Sequence, residues 1–225
     1  MNRRHVLAGV LTAAFVVGGG ASAPAQDQAD QFSFAFTTAA KAKSAGFTVE
    51  AEFPRQRVID QIGITFPPGT VFNTKAVTRC PEATDEEVQQ TENGVSDVCP
   101  ASSKIGTGKG TAYLGDGPDP ITFDLGLYNR KGGMVLDIML NGKTAFYAAP
   151  TLSGGKLTIP LSQTPSLNAR ITAFEFSVAK KGTARKPYLR TPASCPRSRK
   201  LTAVLAAREN GAGTVTTRDT TACRR

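Results

Sequence analysis

Period-two alternation of apolar and polar residues runs through this chain, and it limits the fold more than any other feature. Phe32, Phe34 and Phe36 would share one face of an extended segment, as would Phe47, Val49, Ala51 and Phe53, because successive side chains of a strand point to opposite sides. Ile62, Ile64 and Phe66 repeat the pattern, and so do Ile121, Phe123, Leu125 and Leu127. Further runs are Met134 to Leu140, Ala145 to Ala149, Lys156 to Leu161, Ile171 to Val178, Leu201 to Ala206 and Thr214 to Thr217. Gly and Pro separate them, as at Pro67-Pro68-Gly69, Gly115-Asp116-Gly117-Pro118 and Ser153-Gly154-Gly155. Asn141-Gly142, between two such runs, is the strongest hairpin signal, since both residues tolerate the positive φ of a type I′ turn. Strands that follow one another through short turns predict an all-β fold, an antiparallel β-sandwich. It is expected to occupy residues 31–225 as one domain after a tail at 26–30; the alternative is two β-modules dividing near residues 149–155.

One segment departs from the pattern. Glu82 to Thr91 carries Thr84 and Glu87 at capping-box spacing, which predicts one short helix inside the Cys80 to Cys99 loop. That stretch has almost no apolar residues, so the disulfide is expected to hold the excursion against the sheet.

The amino terminus reads as an export signal. Asn2-Arg3-Arg4-His5 is a positive start, Val6 to Val17 an apolar run, and Ala23-Pro24-Ala25 a small-x-small cleavage site, which defines residues 1–25 as the signal. The general secretory route is favoured, with the twin-arginine route as the alternative on Arg3-Arg4. No later run reaches the ~20 apolar residues of a membrane-spanning helix. In an exported chain, four cysteines predict two disulfides. The local pairing, Cys80 with Cys99 and Cys195 with Cys223, is preferred among three connectivities because each pair brackets a self-contained polar excursion. A four-cysteine zinc site would need Cys-x-x-Cys spacing, which does not occur.

Composition removes several chemistries. The one histidine, His5, lies in the signal, so the mature chain can form neither a histidine-based catalytic triad nor a histidine-ligated metal site. No metal and no cofactor is expected. Ile105-Gly106-Thr107-Gly108-Lys109-Gly110-Thr111 suggests a phosphate loop, but Ser103 and Gly110 stand where Walker A needs glycine and Ser or Thr. Alternating glycines fit better in a strand that another backbone or a bulky side chain approaches closely. Gly115 to Pro120 lacks EF-hand spacing and reads as a turn.

Charge is distributed unevenly. From Lys180 to Arg225 there are twelve basic and two acidic residues, whereas residues 26–179 hold thirteen basic and sixteen acidic ones. Lys180, Lys181, Arg185, Lys186, Arg190, Arg197, Arg199 and Lys200 are the candidate anion-binding residues. The expected partner is an anionic wall polymer or acidic polysaccharide of the cell envelope. Nucleic acid is disfavoured, because the segment has one aromatic residue, Tyr188, and no recognition-helix pattern.

Phe66-Pro67-Pro68-Gly69-Thr70-Val71-Phe72-Asn73, Cys80-Pro81, Cys99-Pro100-Ala101-Ser102-Ser103-Lys104-Ile105-Gly106-Thr107-Gly108 and Cys195-Pro196 with Cys223 together resemble a pattern in uncharacterised secreted proteins of actinobacterial type. The resemblance covers roughly residues 45 to 225. It implies the β-rich fold and the two disulfides, and carries no activity and no catalytic residues. The leading expectation is thus an exported, non-catalytic binding or envelope-structural protein. The alternatives are a secreted hydrolase using two carboxylates about 5 to 10 Å apart and a partner module that docks through an exposed sheet edge.

Overall fold

The computed structural model describes residues 30–82, 87–88, 90–161 and 169–224. Residues 1–25, read as an export signal, all but Asp30 of the 26–30 tail, Thr84, expected to cap the helix, and Arg225 lie outside them. The alternating runs become strands, and short strands that were not signalled join them: β1 (Gln31–Phe36), β2 (Phe47–Glu52), β3 (Ile59–Thr65), β4 (Val71–Phe72), β5 (Lys104–Leu114), β6 (Pro120–Arg130) and β7 (Gly133–Leu140). They continue through β8 (Lys143–Ala148), β9 (Thr151–Ser153), β10 (Lys156–Pro160), β11 (Ala169–Val178), β12 (Leu189–Arg190), β13 (Lys200–Glu209) and β14 (Gly213–Ala222), with β4, β9 and β12 the short additions. Asn141 and Gly142 join β7 to β8 with φ of 53° and 77°, the left-handed geometry that their sequence signalled.

The result is an antiparallel β-sandwich whose main sheet of 12 strands runs β1-β2-β11-β5-β6-β7-β9-β10-β3-β13-β14, with β8 paired to β7. The sheet curls until its edge strands meet, nearly closing a barrel. At the seam Asp219 takes the place of a ladder: its carboxylate accepts the Phe34 amide at 2.8 Å and the Thr220 amide at 2.7 Å. Just beyond, the Arg224 amide donates to the Ala39 carbonyl and its carbonyl accepts from the Lys41 amide, in a parallel bridge between Ala40 and Arg224. This near-closure sets the two edge strands against each other and so shields edges that would otherwise template aggregation. An Asp219→Ala variant leaves two backbone donors at the seam without their charged acceptor and should lose about 2 kcal/mol of stability. Urea unfolding measures this; an unchanged midpoint would show that the seam closes without the carboxylate.

Inward faces of the strands form one aromatic-rich core. Phe47 is fully buried, with the Phe66 ring 5.0 Å away, edge to face, and Phe66 lies 4.7 Å from Phe72. The alternating glycines of β5 have the steric role expected of them. A Cβ at Gly106 would strike the Ser177 carbonyl, one at Gly108 the Glu175 carbonyl, and one at Gly110 the Phe123 ring. The β11 backbone and a β6 ring thus occupy the space that side chains of β5 would fill.

The Cys80 to Cys99 excursion corrects the expectation that a disulfide alone holds it. Glu87 and Val88 are helical, and the short helix α1 forms at Val95–Val98. Val88 and Val95 are buried with Cys80, Cys99, Tyr128 and Val135 in a second small core, against which Val98 packs. The valines carrying this packing straddle the end of the 82–91 stretch, so the polarity of that stretch concealed it. Buried Asn129 anchors the excursion: its side-chain amide nitrogen lies 2.9 to 3.0 Å from the carbonyls of Thr74, Val77 and Thr78, and its backbone carbonyl accepts from the Cys80 amide.

Candidate functional site

The strand registers give the barrel two unlike ends. One carries the ends of strands at Phe36, Phe47, Lys104, Val178, Lys200 and Ala222; the other carries Glu52, Ile59, Leu114, Leu140 and Glu209. Residues 179–199 cross the first end. The Ala179 amide binds the Ile105 carbonyl, Tyr188 and Leu189 plug the core with no exposed surface, and the Thr191 hydroxyl donates to the Ala40 carbonyl at 2.7 Å. β12 pairs with β4 to complete this cover.

At this end the disulfide Cys195–Cys223 forms, with a Cα separation of 5.7 Å. Around it opens a concavity of about 890 Å³, lined by Lys41, Ser194, Cys195, Pro196, Arg197, Arg199, Cys223 and Arg224. Four of these side chains are cationic and none is acidic. Two of the three non-glycine residues with left-handed backbone among the described residues belong here: Arg199, with φ of 53°, and Ala42, beside Lys41, with φ of 55°. Such conformations cost energy and persist where surrounding bonds impose them. At Arg199 the amide donates to the Pro196 carbonyl and the carbonyl accepts from the Cys223 amide, so the strap and the strand hold the arginine at the rim.

Of the candidates read from the sequence, Arg197 and Arg199 enter the concavity. Lys200 stands exposed at the start of β13, and Arg190 on β12 is exposed and bridges Ser44. Lys180, Lys181, Arg185 and Lys186 form a separate turn over the same end, closed by bonds from the Thr183 amide to the Lys186 carbonyl and from the Tyr188 amide to the Lys181 carbonyl. Lys41 was missed, since nothing local marks a lysine so far from the basic segment. Arg224 lay within the basic count without distinguishing itself.

Ion pairing separates the ends further. Arg57 binds Asp30 at 2.6 Å and Glu209 at 3.1 Å, Arg208 binds Asp60 at 2.8 Å and Arg170 binds Asp116 at 3.3 Å, all at the far end. Among the described residues none of the cations over the disulfide end forms an ion pair. Even with Arg57 beside it, burial holds the Asp30 carboxyl above the usual carboxylate range.

Other places where chemistry could gather are weaker. Glu50, Glu175, Lys109 and Asp124 form one cross-strand row on the outer face in an open depression of about 440 Å³. There Lys109 pairs with Glu175 at 3.3 Å, with 69% and 49% of the two side chains exposed. Facing carboxylates in water lack the apolar surroundings that keep one of them protonated as a general acid. Among the described residues no group of three or more potential ligands could hold a metal ion, and no helix is long and apolar enough to cross a membrane.

Among the described residues Asp137 is the most deeply buried acid, with no exposed surface. It lies on β7 opposite Gly126 of β6 and Tyr147 of β8, beneath the excursion. The Thr144 hydroxyl donates to its Oδ1 at 2.7 Å and accepts from the Val95 amide at 3.1 Å, while Oδ2 has no partner. Burial raises its pKa above the usual range, and the Thr144 bond and the Lys104 charge offset this only in part. A raised pKa means that between the unfolded value, about 4, and the folded value the native state binds the extra proton. Stability therefore falls as pH rises through that window. Removing the charge in Asp137→Asn should remove this slope. The wild type is then expected to lose stability relative to the variant as pH rises above about 4, read by urea titrations at each pH; parallel profiles would refute it.

The fold and this end define a disulfide-strapped, nearly closed antiparallel β-sandwich with an unneutralised cationic face. No protein-family model, no curated protein and no solved structure matches the chain, so its functional reading rests on this geometry.

Proposed function

We propose that the chain is an exported, non-catalytic binding protein that holds anionic polymers of the cell envelope, a wall polymer or an acidic polysaccharide, at the disulfide end of its barrel. The observation that carries this is the convergence of Lys41, Arg197, Arg199 and Arg224 on one open concavity with no acid in its lining. Unpaired cations in a concave surface focus field, and a polyanion that binds them releases its condensed counterions. Guanidinium groups suit phosphate, sulfate and carboxylate oxygens, which they can meet in bidentate fashion. Two disulfides accord with an oxidising compartment. The turn with Lys180, Lys181, Arg185 and Lys186 extends the cationic surface over the same end.

Binding to heparin, used as the probe polyanion, should weaken linearly in the logarithm of salt concentration. An Arg197→Gln/Arg199→Gln variant should show a salt slope shallower by about two. A control neutralised at Lys109 and Lys143, away from this end, should keep most of its affinity. Binding insensitive to salt, or equal loss in the two variants, would leave the cations as ordinary solvated surface.

A further inference from the structure

The two disulfides occupy unlike surroundings: the cavity beside Cys80–Cys99 has one cation in its lining, Arg130, and the concavity at Cys195–Cys223 has four. Cys80 and Cys99 are 4% and 2% exposed, and their bond borders a cavity of only about 20 Å³. The loop they close contains six acidic residues, Glu82, Asp85, Glu86, Glu87, Glu92 and Asp97, and no lysine or arginine. Cys195 is half-buried, and with Cys223 it lines the open concavity of about 890 Å³ among four cations.

Thiol–disulfide exchange requires a thiolate to reach a sulfur and a second thiolate to depart. At Cys195–Cys223 the open concavity admits a thiolate and four cations face the one that departs, whereas at Cys80–Cys99 burial denies the attacking thiolate its approach. From this contrast we infer that Cys195–Cys223 is a thiol-exchange site, open to small anionic thiols while the rest of the protein stays folded. The attacking thiolate enters the concavity, drawn by Lys41, Arg197, Arg199 and Arg224, and attacks Sγ of Cys195, the more exposed of the two cysteines. A mixed disulfide forms between that sulfur and the thiol. The Cys195–Cys223 bond breaks, and its electron pair leaves on Cys223 as a thiolate beside the Arg224 cation. A second thiolate then attacks the thiol's own sulfur, releasing the oxidised thiol as its disulfide and Cys195 as a thiolate. Two small thiols are oxidised, the protein bond is reduced by two electrons, and the two protons given up by the small thiols pass to the cysteines.

The consequence is local. The strap at Cys195 loses its covalent tie to Cys223 beyond β14 and Arg197 is freed with it, while Arg199 keeps its backbone bonds to Pro196 and Cys223. The inference goes beyond polymer binding, because it needs no polymer and would stand if heparin failed to bind.

The test uses the folded full-length chain at fixed pH, exposed to glutathione, which is anionic, or to cysteamine, which is cationic. The reaction is quenched with acid, free thiols are alkylated and the labelled cysteines are located by peptide mass spectrometry. With glutathione, Cys195 and Cys223 should be labelled at least about ten-fold faster than Cys80 and Cys99. Added salt should slow glutathione and not cysteamine, and Arg197→Gln/Arg199→Gln should slow glutathione alone. Should that variant fold poorly, the salt comparison on the unmodified chain decides. Simultaneous opening of both bonds, earlier labelling of Cys80 and Cys99, no opening at all in the folded protein, or the same salt response for both thiols would overturn the inference.

Discussion

A Gly108→Ala substitution is expected to cost about 3 kcal/mol, a large share of a typical domain stability. The backbone at Gly108 has no positive φ, so any L-residue could adopt its conformation; the obstacle is space. An added methyl would meet the Glu175 carbonyl of β11, with the Phe176 Cβ 2.6 Å from the same point. Both belong to a rigid neighbouring strand whose register with β5 is fixed on either side. Gly63 provides the control. There the nearest atom to an added Cβ is the Lys156 Cε at 2.7 Å, near the tip of a flexible side chain. Gly63→Ala should therefore fall within about 0.5 kcal/mol of the wild type, since loss of chain entropy in the unfolded state offsets the small displacement. Equilibrium urea unfolding of both variants is the measurement. Equal behaviour would mean that β5 and β11 can separate, and that the glycines are not there to admit the neighbouring strand.

Removing the excursion's disulfide should have an effect of similar size. For Cys80 and Cys99, 19 positions apart, the chain-entropy model gives about 3 kcal/mol, so a Cys80→Ala/Cys99→Ala protein should unfold at clearly lower urea. The second core adds a distinguishable signature. Val88, Val95 and Val98 still pack on Tyr128 and Tyr147, and Asn129 still holds residues 74–80, so the excursion should loosen without detaching. Amide exchange should accelerate most at Val95 and at position 99, whose protons go to Thr144 Oγ1 and the Val95 carbonyl, while core strands such as β11 accelerate only as far as the loss of global stability dictates. An unchanged midpoint would show that packing alone holds the segment.

How much of this was legible beforehand depended on the range of the interaction involved. The alternation at Phe47 to Phe53, the turn at Asn141-Gly142 and the glycine spacing of β5 each report a local geometric requirement, so a short stretch of chain displays them fully. The cysteine pairs were legible for a related reason: each joins residues with no competing cysteine between them, which left the local connectivity as the economical one. The basic segment was visible as composition, but composition places no side chain, because neighbours on a strand face opposite ways.

Long-range placement was decided by the tertiary structure. Asp219 reads as one acid in a threonine-rich strand, and only the curl of the sheet brings it to the Phe34 amide. Lys41 meets Arg197, Arg199 and Arg224 because the seam carries residues 39–41 alongside Arg224 and the disulfide ties residue 195 to the same end. The valines of the excursion find each other because Asn129 and Tyr128 of β6 offer an anchor and an apolar floor. Sequence pattern fixes which residues face inward along a strand, since that depends on a period of two; which strands become neighbours is settled by the closing of the whole sheet, to which every strand contributes and which no single stretch encodes.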